Sequence, residues 1–203
     1  MIEKPILFSG PMVRAILVGK KTQTRRAIRY PQRGAFVIED HGRGWEVFQS
    51  DNGESSLCND GNEYPMNCPY GQPGDHLWVR ETWGWVGEHH HEDHGSIYWK
   101  SDRADWVKSQ KWRPSIFMPH WASRIVLYVT DVKVEKLQSM SYTDWVADFC
   151  PSSAERESAL ATFVGDGYRR EREKELWDSI NSKRGFGWDK NPWVWVVGFK
   201  RVV

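Results

Sequence analysis

The stretch from Ile125 to Leu137 carries the strongest strand signal in the chain and limits the fold more than any other. Ile125, Leu127 and Val129 hold one parity, whereas Val132 and Val134 hold the other. Side chains alternate between the faces of a strand, so both sets can be buried together only if the strand bulges or bends near Thr130-Asp131. A strand wrapping round a barrel has this property. Other strands are expected at Ala35 to Glu39, Trp45 to Gln49, His76 to Trp83, Ile97 to Lys100 and Trp193 to Val203. In the last, Trp193, Trp195, Val197 and Phe199 share a face.

Helices separate these strands. Ser9-Gly10-Pro11 ahead of Met12, Val13, Ile16 and Leu17 predicts a capped helix closed by Gly19. Ser141 and Asp144 form a capping-box pattern before Trp145, Val146 and Phe149, and Pro151 stops that helix. A second short helix is expected over 155–164. A charged helix from Arg169 to Ile180 follows, expected to bury Leu176, Trp177 and Ile180. Strands and helices without a repeating βαβ pattern predict an α+β, barrel-like domain over 1–203. The turn-rich 40–72 region is an insertion and 86–95 a polar loop.

The chain has 203 residues with a formal net charge of +1, which argues against a general polyanion binder. The charge is uneven: Lys4 to Arg33 holds eight basic residues and no acidic one. Three cysteines without a C-x-x-C pair point away from a disulfide framework and towards a reducing cytoplasm. No apolar run is long enough for a membrane span. Thirteen tryptophans suit a core and rim built on large aromatics, with some available to stack on a planar ligand.

Two segments raise the question of chemistry. On the expected strand His76 to Trp83, period two puts Glu81 on the same face as Leu77, Val79 and Trp83, where a carboxylate needs a partner. An arginine salt bridge or a role in a site would supply one. The run Glu88-His89-His90-His91-Glu92-Asp93-His94 has metal-ligand residue types but lies in a polar loop, and reads as a solvated segment, with no metal expected.

The densest chemistry is Gly19-Lys20-Lys21-Thr22-Gln23-Thr24-Arg25-Arg26, directly behind the first helix. Taken alone it is either a basic turn that meets solvent and phosphates or a positioned set of site residues. Together with Ile16-Leu17-Val18 ahead of it and Trp78-Val79-Arg80-Glu81-Thr82-Trp83, it resembles the ASCH-domain family, in particular members of about this length from phages and prophages. Pro5 to Val13, Ser115 to Arg124, Leu137-Gln138 and Asn191 to Val196 extend the resemblance over nearly the whole chain.

That resemblance implies a PUA-like mixed β-barrel with flanking helices and a modified nucleoside or nucleic-acid ligand, RNA favoured over DNA. Bacterial ASCH proteins include an amidohydrolase that deacetylates N4-acetylcytidine. Its lysine and threonine are matched by Lys21 and Thr24, and its helical acid by Asp148, one methylene shorter than the family's glutamate. Amide hydrolysis needs a nucleophile, a base, an oxyanion partner and an acid. The implied assignment is Thr24 as nucleophile, Lys21 as base, Arg26 on the developing charge, and Asp148 or Glu81 as acid, with no cofactor. Substrate contacts are expected from Arg26, Trp83, Trp112, Arg113, Trp121 and Arg124. The alternatives are a non-catalytic RNA- or DNA-binding module, or a ribonuclease using Lys21 and Arg26.

Overall fold

The computed structural model describes residues 2–29, 35–40, 45–50, 63–65, 67–86, 96–102, 111–150, 152–155 and 165–202. Among the described residues ten strands and three longer helices are ordered β1 (Glu3–Leu7), α1 (Gly10–Leu17), β2 (Gln23–Ala27), β3 (Ala35–Asp40), β4 (Trp45–Ser50), β5 (Glu63–Pro65), β6 (His76–Arg80), β7 (Trp83–Val86), β8 (Ser96–Trp99), β9 (Val126–Lys136), α2 (Tyr142–Phe149), α3 (Gly165–Asn181) and β10 (Trp193–Arg201). The protein is therefore α+β. The main sheet is mixed, with the order β1-β6-β9-β10-β2, and β7 and β8 form a separate two-stranded sheet. The expected barrel is not closed: among the described residues the hydrogen-bonded path is open, with β1 and β2 at its ends. Among the described residues no helix is long and apolar enough to cross a membrane.

The chain divides into two compact units, Met1–Thr22 with Tyr70–Thr130 and Phe199–Val203, and Gln23–Pro69 with Asp131–Gly198. In the first, β1 runs parallel to β6 from Glu3↔His76 to Leu7↔Arg80. The start of β9 pairs antiparallel with β6 through Leu77↔Leu127. Leu77, Trp78 and Val79 are all buried, so β6 is covered on both faces rather than on the single face that its alternation suggested. The strand also ends at Arg80, and β7 begins anew at Trp83. On that second sheet Gly84 lies opposite Tyr98. A Cβ at Gly84 would lie well inside van der Waals contact of ring atoms at the hydroxyl edge of Tyr98, so this close approach requires glycine.

In the second unit β10 pairs antiparallel with β2, bringing Thr24 opposite Val197 and Arg26 opposite Trp195. β3, β4 and β5 form antiparallel pairs, and β4 meets β9 at Trp45↔Val134. Part of the 40–72 insertion thus contributes sheet, while 51–62 lies outside the described residues, as do the histidine run and 103–110. The parity change expected on β9 is present, with Leu127 and Val129 buried before Thr130 and Val134 buried after it.

Ser141 and Asp144 make both hydrogen bonds of the capping box that starts α2. Trp145 and Trp177 then join Leu137, Met140, Trp188, Val194 and Val196 in one core cluster, with Val146 and Phe149 packed against it. β10 is buried on both faces, Val194 and Val196 as well as Trp195 and Val197, where one face was expected. α3 also departs from expectation. Trp177 is buried, but Leu176 and Ile180 are 39% and 37% exposed, and the other buried positions are Arg169 and Glu173. Their side chains pair at 3.5 Å one turn apart, which lets a charged stripe turn inward.

Candidate functional site

The two units each hold a buried charge cluster, and the candidate residues are distributed between them. Lys21, Glu81, Trp83, Trp112, Arg113, Trp121 and Arg124 belong to the first unit; Thr24, Arg26 and Asp148 belong to the second.

Lys21 follows α1, where Gly19 with a φ of 70° turns the chain and the Lys20 and Lys21 N–H groups donate to the Ala15 carbonyl. That tight closure carries Lys21 inward. Its side chain is 2% exposed, with Nζ 5.9 Å from the centre of the Phe8 ring, while Lys20 remains in solvent. A basic turn that only met water would not bury its lysine.

Glu81 sits in the break between β6 and β7 and is 1% exposed. It has the partner that its position demanded: Arg124 Nε donates to Oε1 at 3.0 Å, and the Ser101 hydroxyl donates to Oε2. Arg124 also holds Asp102 through two hydrogen bonds, Nη1 to Oδ2 at 2.9 Å and Nη2 to Oδ1 at 2.7 Å. Burial pushes the Glu81 carboxyl above its ordinary value, although the hydrogen bonds from Ser101 and Arg124 pull the other way. For Arg124 burial works against the charge, but the hydrogen bonds to Asp102 and Glu81 outweigh it and the net shift is upward.

Next to this network lies a set of aromatic rings. Arg124 stacks 4.2 Å over Trp99, and Trp121 meets the rings of Trp83 and Trp85 edge-on at 5.8 and 5.6 Å. Arg113 lies 5.0 Å over Trp83, and Trp112 packs edge-on against Tyr98 with Lys100 beside it. Of the tryptophans expected to stack on a ligand, Trp83 is 2% exposed and acts instead as a floor, clustered with Met118 and Ala122. Trp121 is 52% exposed, and Phe117 and Ile116, which sequence reasoning did not single out, are 72% and 58% exposed on the same segment. Two short 3-10 turns punctuated by Pro114 and Pro119 hold these side chains outward. The proline spacing was the available signal.

In the second unit Thr24 is 3% exposed on β2, and its neighbour Arg25 is buried as well. Arg25 donates to Glu135 Oε1 from Nη2 at 2.6 Å and to Asp148 Oδ2 from Nη1 at 3.3 Å, and its Nη2 lies 3.5 Å from Asp144. Asp148 and Asp144, four residues apart on α2, thus both face a guanidinium, Asp148 buried and Asp144 half-buried. Burial alone would raise the Asp144 carboxyl, but the Ser141 hydrogen bond and the charges of Arg25 and Lys133 hold it below its ordinary value. Sequence reasoning missed Arg25 as the centre of this cluster and named its neighbour Arg26, which is half-buried opposite Trp195.

Among the described residues no group of three or more His, Cys, Asp or Glu side chains is placed to hold a metal ion. Chemically, the first unit offers a half-exposed indole backed by aromatic rings and cations, beside a buried acid. The second offers a buried threonine next to an arginine shared among carboxylates. No family model, curated protein or solved structure matches this chain.

Proposed function

We propose that this chain binds a nucleobase-bearing ligand, single-stranded RNA or a modified nucleoside, through the aromatic and basic surface of its first unit. The observation that carries this reading is Trp121, half exposed yet held at fixed orientation by the edges of Trp83 and Trp85. A pre-set aromatic face is a stacking platform for a base, and Arg113 over Trp83 and Lys100 over Trp112 are suited to phosphates. The resemblance to ASCH-domain proteins supports the same ligand class and a PUA-like descent for the sheet. The test is fluorescence anisotropy with a labelled single-stranded RNA across a salt series. Trp121→Ala should weaken binding about tenfold or more, matching about 1–3 kcal/mol per stacked base. Unchanged affinity in that variant would remove the platform.

A second reading adds turnover: metal-independent hydrolysis of an N4-acylated cytidine or similar base, with Thr24 as nucleophile and Lys21 as base. It is favoured by the withdrawal of both motif side chains from water, which a phosphate-binding basic turn would not need. Of the two candidate acids, Asp148 faces Arg25; burial shifts Glu81 towards its protonated form, the form that can give up a proton. Incubation with N4-acetylcytidine, read by mass, should release acetate, and Lys21→Ala or Thr24→Ala should stop it. Cleaved RNA in the same experiment would instead favour the ribonuclease alternative; no product would leave a binding module.

A further inference from the structure

The second unit contains a cavity that takes no part in either reading. Its volume is 320 Å³, room for about ten waters at their liquid volume and at the small end of ligand pockets. Trp145, Phe149 and Cys150 wall it from α2 and its end, and Arg172, Glu175, Leu176 and Ser179 from α3. The α3 residues are spaced i, i+3, i+4 and i+7, one continuous face of that helix. This face is distinct from the inward stripe of Arg169, Glu173 and Trp177, which explains why Leu176 stays uncovered at the cavity wall.

The floor is apolar and the rim charged. Arg172 donates to Glu175 at 2.6 Å and to Glu155 at 3.2 Å, so two carboxylates share one guanidinium and one negative charge is left in excess. Glu155 is held ionised by the Ser152 N–H and hydroxyl as well as by Arg172. An anion entering here would meet both carboxylates, while a cation would add the second counter-charge that Arg172 alone does not supply. Rings such as Trp145 and Phe149 also favour a cation over an anion. The residue that caps α2 gives a reporter: Cys150 adopts left-handed backbone with φ and ψ of 52°, where glycine is favoured, and lines the cavity.

We infer that this cavity is a binding site for a small organic cation, an aromatic or branched apolar body carrying one ammonium group seated between Leu176 and the Glu155/Glu175 rim. The experiment uses the full chain with three probes of one shape and different charge, namely 2-phenylethylamine, 2-phenylethanol and phenylacetate. Alkylation of Cys150 is followed by peptide mass spectrometry, which separates it from Cys58 and Cys68. The amine should slow Cys150 alkylation at millimolar concentration and shift the Leu176 methyl resonances, the alcohol should do so less, and phenylacetate not at all. Glu175→Gln, at an exposed position, should weaken the amine about fivefold. Equal effects of amine and phenylacetate, an effect of neither, or an unchanged amine affinity in Glu175→Gln would each overturn the assignment. None of these outcomes depends on nucleic-acid binding or hydrolysis.

Discussion

The two buried charge clusters are built from the same kinds of side chain and behave in opposite ways towards protons. In the first unit the buried member is an acid, Glu81, and its arginine is shared with the exposed Asp102. In the second a cation, Arg25, is buried together with Asp148 and ringed by Glu135, Asp144 and Asp148. Glu81 is shifted up and Asp144 down. An ion pair does not by itself decide how its carboxylate titrates; the balance between desolvation and the number of opposing charges does. For function the lesson is that the first arrangement shifts its acid, Glu81, towards the protonated form, whereas the second shifts Asp144 away from it.

This difference predicts a ranking of effects. The largest is expected from Arg25→Ala, which takes the shared cation from Glu135, Asp144 and the buried Asp148 and leaves only Lys133 beside the first two, and should cost about 3–4 kcal/mol in urea denaturation. Arg124→Ala should cost less, about 2 kcal/mol at pH 7, because Glu81 can take up a proton when its partner is lost. Its cost should also shrink as pH falls. An Arg124 variant as damaging as the Arg25 variant would break the comparison.

Glu81→Gln sharpens it by its pH dependence. With its folded pKa raised above the ordinary value of 4.5, the folded state holds the Glu81 proton more tightly than the unfolded state. The resulting stabilisation is fully present below that value and is lost as pH rises through the raised one. The glutamine variant should therefore show a flatter loss of thermal midpoint across that interval. A profile parallel to the wild type would mean that Glu81 does not titrate there.

The smallest effect belongs to Asp144→Asn. Its lowered carboxyl stabilises the fold above its ordinary value of 3.8, and that contribution is lost as pH falls through the lowered value. The variant should lose about 1 kcal/mol at pH 7, through the capping box and the Arg25 contact, and match the wild type in strong acid. Thermal melts at both pH values check it.

How much of this was legible in the sequence depended on whether the cause was local. The capping box at Ser141 and Asp144 needs only residues three apart, and the parity change on β9 needs only alternation; both are present. Burial of Lys21 was not legible, because it follows from the turn at Gly19 and the ring of Phe8, which the chain brings together only by folding. α3 was misread for a related reason. Its inward stripe is made of Arg169, Glu173 and Trp177, and a hydrophobic count has no way to see that an ion pair one turn apart can be buried in place of two leucine-sized residues. Trp83 was expected to end the strand from His76, on the face of Leu77 and Val79 and in reach of a ligand, but the break at Glu81 and Thr82 starts a new sheet in which it becomes the floor.

The close approach of Gly84 to the Tyr98 ring also bears on how this sequence can drift. Neither position is free to change alone in one direction: a side chain at 84 needs the ring at 98 to be gone, whereas a smaller residue at 98 lifts the demand for glycine. A library randomised at both positions and selected for folding should return alanine or serine at 84 only in company with a non-aromatic residue at 98. Descendants of this chain would thus carry the pair as one inherited unit, identifiable by covariation where neither residue is invariant.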